Sequence, residues 1–153
     1  MSSTSPNLSA STPPSEECLH EFDRLEKRKE LGYLVCKICP NKEGKDEIAV
    51  ERSGFARFSE LVGLLPADQP RYVIFRVNTR PTDRVLFILW RPDSSKIKQK
   101  MTYVSSCESF KSKLFGIRNH LDATSPEDLE LEQVADLMKC TIEVLDAVDP
   151  RAQ

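Results

Sequence analysis

An α/β fold, one sheet carrying helices on its faces, is what the sequence predicts, and three observations predict it. Apolar residues recur with a helical period in four stretches and with strand patterning in five others. The two kinds alternate as αββαββαβα, the order expected of helices packed on a single sheet. Caps and turn residues punctuate nearly every junction, and no internal repeat interrupts the series.

The first helix opens at Ser15-Glu16-Glu17, an N-cap followed by acids that suit the positive end of the helix dipole. Cys18, Phe22 and Leu25 continue it at helical spacing, and Gly32 is the expected stop. Tyr33 to Cys39 is β-rich, Pro40 to Lys45 is turn chemistry, and Glu47 to Arg52 alternates with Ile48 and Val50 inward, which makes a hairpin. Phe55, Phe58, Leu61, Val62 and Leu65 return to a helical period that Pro66 ends. Tyr72–Val77 and Val85–Trp90 form a second strand pair across the polar link Asn78–Arg84. Ile97, Met101, Val104, Cys107, Phe110 and Leu114 then mark a long amphipathic helix, with Lys98, Lys100, Lys111 and Lys113 off its stripe and a bend at Ser105-Ser106. Gly116 closes it, and Ile117, Asn119 and Leu121 make a short strand. Ser125-Pro126-Glu127-Asp128 opens one final helix with Leu129, Val134, Leu137, Met138, Ile142 and Leu145.

Residues 1–15 carry no charged side chain and little that is apolar, so residues 1–14 are expected to be a disordered tail. A single domain over 15–147 and a short tail over 148–153 account for the rest. No apolar run reaches the ~18 residues of a membrane span, and the start lacks a signal-peptide core. Five scattered cysteines suit free thiols in a reducing compartment. The expectation is a soluble, intracellular, monomeric protein.

Net charge is −2, with a pI near 5.8, which speaks against general nucleic-acid binding. The charge is polarised, however. Between Arg91 and Arg118 seven bases face only Asp93 and Glu108, whereas from Asp122 to Asp149 nine acids meet the single base Lys139. One face is thus prepared for an acidic partner.

Catalysis is poorly supplied. His20 and His120 stand outside any motif and read as surface or hydrogen-bonded residues, and five single glycines make no phosphate loop. Cys36-Lys37-Ile38-Cys39 has the spacing of zinc and redox pairs, but no second close pair accompanies it and it lies in a strand before a turn. Trp90 reads as core. No enzyme, cofactor or metal is expected.

Four blocks in sequence carry a resemblance. They are Arg71-Tyr72-Val73-Ile74-Phe75; Leu86-Phe87-Ile88-Leu89-Trp90-Arg91-Pro92-Asp93-Ser94; Lys98-Gln99-Lys100-Met101-Thr102-Tyr103-Val104-Ser105-Ser106; and Lys113-Leu114-Phe115-Gly116-Ile117. Together they closely resemble the ADF/cofilin family over about residues 15–140. The resemblance implies the ADF-homology fold, a central mixed sheet flanked by helices on both faces, and a cytoplasmic, cytoskeletal role. Its partners are the actin monomer and filament, with preference for ADP-actin and promotion of filament turnover; phosphoinositides are a further candidate ligand. It places Ile97, Lys98, Lys100, Met101, Ser105 and Ser106 at the monomer. The lysines would meet acidic groups, Met101 would fill an apolar cleft, and the two serines would mark the bend.

The chain departs from the family pattern in three places. The usual N-terminal serine motif is replaced, which leaves Ser2, Ser9 and Ser11 as candidates for regulatory phosphorylation. The Asn78–Arg84 link is shorter than the projecting hairpin that reaches a second filament subunit. Of the late acid–base cluster, Asp136 remains with only Lys139 nearby. Arg80, Arg84, Asp136 and Lys139 are therefore the filament-binding candidates, and weak filament binding and severing are expected. The rivals are a diverged monomer sequesterer or branch-acting relative, a nucleic-acid binder through the basic helix, and a redox protein using Cys36 and Cys39.

Overall fold

The computed structural model describes residues 11–79 and 82–152. In chain order the elements are α1 (Glu16–Glu26), β1 (Tyr33–Pro40), β2 (Asp46–Gly54), α2 (Phe58–Gly63), β3 (Arg71–Val77), β4 (Arg84–Trp90), α3 (Ile97–Ser112), β5 (Ile117–Ala123), a 3₁₀ turn (Pro126–Leu129), α4 (Leu131–Met138) and α5 (Ile142–Leu145). The strands form one sheet in the order β2-β1-β3-β4-β5. The pairs are antiparallel except β4 with β5, which run parallel. A parallel neighbour requires a crossover, and α3 supplies it, so the longest helix is carried back over the sheet by topology.

Alternation along the strands builds two cores. Leu34, Cys36, Tyr72, Ile74, Phe87 and Leu89 face α1 and α3, where Phe22, Tyr103, Cys107, Phe110 and Leu114 meet them. Val35, Val73, Phe75, Leu86, Ile88 and Trp90 face the opposite side, against Phe58, Leu61, Val134, Met138 and Leu145. β3 and β4, covered on both faces, are almost continuously apolar for that reason. Burying each large apolar side chain is worth about 1.5–3 kcal/mol. Trp90 lies in this core and donates its indole N–H to the Pro66 carbonyl, 2.8 Å.

Several expectations need correction. α1 ends at Glu26, not near Gly32, because the chain turns through Lys29 at φ 56° before it reaches the glycine. α2 begins at Phe58, three residues after Phe55. The final helix is not one helix but three pieces. Glu130 is extended between the 3₁₀ turn and α4, and Lys139, left-handed at φ 56°, separates α4 from α5. Thr141 restarts the helix by accepting from the Val144 N–H, 3.2 Å. Leu137 and Ile142, expected inside, are consequently exposed.

Both ends are more attached than expected. Pro14 bridges Ile48 in parallel, the Ile48 N–H donates to the Pro13 carbonyl (2.8 Å), and the Ser15 N–H donates to the Ile48 carbonyl (2.9 Å). Thr12 is buried, and its N–H donates to Ser106 Oγ, 3.0 Å. Residues 12–14 therefore strap the otherwise open edge of β2 and do not belong to a free tail. At the other end Asp149 pairs with the buried Arg76, 3.2 Å, so 148–152 is tied down as well. Residues 1–10 lie outside those described. Deleting 1–10 is expected to leave the melting temperature within about 1–2 °C. Deleting 1–14 removes partners from Ser106 and Ile48 and is expected to cost about 1–3 kcal/mol. Thermal melts of the two truncations distinguish the cases, and equal melting temperatures would contradict the strap.

Candidate functional site

The N-terminal half of α3 presents an apolar stripe to solvent. Ile97 is 72% exposed, Met101 66% and Val104 48%. They are spaced i, i+4 and i+7, so they lie within about 60° of one another around the axis. This corrects the expectation that they continue the buried stripe of Cys107, Phe110 and Leu114. Tyr103 decides the rotation of the helix. Its hydroxyl accepts from the Ile38 N–H of β1 (2.8 Å), and its carbonyl accepts from the Tyr72 hydroxyl of β3 (2.5 Å). The Tyr72 ring also lies 5.0 Å from the Tyr103 ring and 5.1 Å from that of Phe110. Burial pushes both tyrosine hydroxyls above their usual range, so the anchor stays neutral. With that side turned inward, the opposite side must face outward.

Lysines flank the stripe. At about 100° per residue, Lys98 falls on one flank and Lys100 on the other, with Met101 between them. Lys98 is exposed and has no ion-pair partner among the described residues. Lys100 is half-buried, and its ammonium donates to the Asp93 carbonyl, 3.2 Å. Lys98 and Lys96 also line a cleft of about 420 Å³ between α3 and β1, with Lys37, Gln69 and Tyr103. Desolvated apolar contact ringed by two cations is what a groove with an acidic rim would accept.

The two serines divide. Ser105 is exposed and donates to the Thr102 carbonyl one turn back, 3.1 Å. Ser106 is fully buried and holds Thr12, so it cannot touch a partner directly; its expected surface role is replaced by the strap contact. α3 runs as one continuous helix through both. Ser11 is half-buried next to that contact, while Ser2 and Ser9 lie outside the described residues.

A second cationic site lies beyond the C-terminal end of α3. Arg84 donates to the Met138 carbonyl, and Arg84, Arg118 and Lys139 line one groove with Glu26, Asp83 and Leu137. The structure thus brings Arg84 and Lys139 together and adds Arg118, a residue the sequence did not single out because it follows the helix in another element. Asp136 is exposed on α4, and Arg80 lies outside the described residues. Gly116 permits the turn into β5 at φ +92°, where a Cβ would meet the Glu26 carboxylate at 3.1 Å. The end of α1 is therefore also the far end of α3.

Cys36 and Cys39 stand in different surroundings. Cys36 is fully buried with its Sγ 3.7 Å from that of Cys18, and this contact and burial hold its thiol well above the ordinary range. Cys39, three residues on, is only half-buried.

The cofilin/tropomyosin-type actin-binding protein family matches residues 11–139. An actin-depolymerizing factor of Vitis vinifera is 31% identical over 133 residues, covering 82% of this chain and 91% of the relative. Among solved structures, Streptomyces griseoflavus cofilin superposes with a TM-score of 0.71 at 27% identity, covering 82% of this chain and 98% of that one. Plasmodium berghei actin depolymerization factor 2 gives 0.69 at 28% identity, covering 84% and 97%. The strap at residues 12–14, the mixed sheet and the basic, apolar-striped α3 all fall within the matched segment, and the chain belongs to the ADF/cofilin family of actin-binding proteins.

Proposed function

We propose that this chain binds the actin monomer through the outward half of α3, prefers the ADP-bound form, and promotes filament turnover while binding and severing filaments weakly. The observation that carries the reading is the solvent-facing stripe Ile97–Met101–Val104 on a helix whose other side is locked to the sheet. Met101 is suited to an apolar groove because its flexible thioether adapts to the groove's shape. Lys98 and Lys100 would orient the helix against acidic groups at the groove rim. Ser105, on the Lys98 flank of the exposed side, would lie at the edge of the contact. The weaker filament contact would fall at Arg84, Lys139 and Asp136, with Arg80, and rests on the short link after Val77 and the single base near Asp136.

A native-gel shift against ADP-actin and ATP-actin, with a nucleic-acid control and filament cosedimentation alongside, tests the reading. The expected result is a stronger shift of ADP-actin, no shift of nucleic acid, and filament pelleting far below one per subunit. Stoichiometric filament decoration at low micromolar concentration would overturn the monomer preference. A nucleic-acid shift matching that of actin would overturn the partner.

A further inference from the structure

Near the C-terminal end of α3, where its buried side meets β5, lies a cluster that the actin reading does not use. Cys107 Sγ, a Glu108 carboxylate oxygen and a His120 ring nitrogen all lie within 4.8 Å of one another. Cys107 and Glu108 come from α3 and His120 from β5, so topology assembles them across the crossover. His120 is already oriented. Its Nε2 lies 2.8 Å from Asp122 Oδ1, which is satisfied when Nε2 carries the proton, and this leaves the Nδ1 lone pair free. That lone pair faces a cation, because the Lys111 ammonium is 2.7 Å from Nδ1 and 3.6 Å from Glu108 Oε2. The same ammonium stands 5.9 Å from the centre of the Phe87 ring, whose face is itself electron-rich.

We infer that Cys107, Glu108 and His120 form a binding site for a borderline-soft divalent cation, zinc by preference, in which the Lys111 ammonium is a displaceable occupant. A thiolate, an imidazole and a carboxylate form a donor set characteristic of zinc, whereas magnesium and calcium take oxygen ligands. Zinc bonds of about 2.0–2.3 Å put neighbouring ligand atoms about 3.2–3.7 Å apart, a modest contraction of the observed spacing. Asp122 behind His120 supplies the carboxylate that commonly orients a ligating imidazole. Metal binding releases the Cys107 proton to solvent and turns the half-buried Lys111 ammonium, on its long flexible stem, out to water. Glu108, with its side chain 84% exposed, gives the ion a path in, and the fourth position stays open to water. The bound ion would pin α3 to β5.

Cobalt(II) is the probe, added to the full chain with all thiols reduced. Wild type is expected to bind one equivalent, giving a thiolate-to-cobalt charge-transfer band that zinc abolishes. Cys107→Ser removes the band. Glu108→Gln, at an exposed position that does not threaten folding, weakens binding by about tenfold, and Asp122→Ala by about 10–100-fold. Lys111→Met removes the competing ammonium while keeping the stem, and tightens binding. A merely structural role for these residues would not produce that gain. The absence of a band in both wild type and Lys111→Met, or a band unchanged in Cys107→Ser, overturns the site.

Discussion

Replacing Lys98 and Lys100 together with alanine is expected to abolish detectable actin-monomer binding and to leave circular dichroism and melting nearly unchanged. Truncating a charge at a desolvated interface typically costs about 2–5 kcal/mol, much of it from the partner charge left unpaired. The same change on a solvated helix face usually stays within about 0.5 kcal/mol of neutral for stability. Neither side chain makes an ion pair within the chain among the described residues, and the Lys100 ammonium holds only one carbonyl. The control needs equal charge at a distance. Lys111 does not serve, because it is engaged with His120 and Glu108. Lys27 and Arg28 do, since they are exposed just past α1, at the far end of α3. Sixteen residues of helix separate the two ends by about 24 Å, beyond the Debye length of about 8 Å at physiological salt. Lys27→Ala with Arg28→Ala should therefore weaken binding little. If both pairs weaken it equally with the same salt slope, the attraction is diffuse electrostatics and the α3 assignment fails.

Arg76→Ala is expected to produce the largest loss of stability of any single polar substitution in the domain. Its side chain is fully buried at the end of β3. Nε donates to the Leu25 carbonyl (3.1 Å) and Nη2 to the Leu31 carbonyl (2.8 Å). Nη1 meets Asp83 at 3.0 Å and Asp149 at 3.2 Å, both nearly buried. One guanidinium thus joins α1, the loop after it, the link before β4 and the C-terminal segment. Removing one partner of a buried charged cluster costs about 3–5 kcal/mol, because the carboxylates left behind remain desolvated. Against a total stability of about 5–15 kcal/mol, that is a large fraction. Arg76→Lys should recover only part of it, since an ammonium cannot span two carbonyls and two carboxylates in a fixed fork. Urea unfolding with an unchanged slope measures both variants. A loss below about 1 kcal/mol for Arg76→Ala would show that Asp83 and Asp149 resolvate freely.

The sheet was legible because strand patterning states the environment of each face. Tyr72–Val77 and Val85–Trp90 read as a strand pair and prove to be the two strands covered on both sides; Ile48 read as inward and is buried. Ser15 read as an N-cap, and its hydroxyl accepts from the Cys18 N–H at 3.0 Å. These features are local, settled within a few residues of chain. The last helix was misread because the Lys139 turn breaks a pattern that stays apolar on both sides of it, and nothing in the spacing marks a left-handed residue.

The candidate site was legible in its residues but not in its orientation. The sequence by itself determined that α3 is a helix, that Lys98, Met101 and Lys100 lie on adjoining faces, and that the four quoted blocks follow one another in order. It could not set which way the helix faces, since α3 carries apolar side chains both on the stripe of Ile97, Met101 and Val104 and around Tyr103, Cys107 and Phe110. Periodicity specifies spacing; the phase about the axis is chosen by whichever side finds partners. Tyr103 found Ile38 and Tyr72, 65 and 31 residues away, and Ser106 found Thr12, 94 residues away. The same holds for Arg76 with Asp149, for Arg84 with Arg118 and Lys139, and for Lys111 with His120. Each joins residues that only the packed sheet brings together, because a buried hydrogen bond or ion pair is satisfied by proximity in space and leaves no periodic trace in the chain.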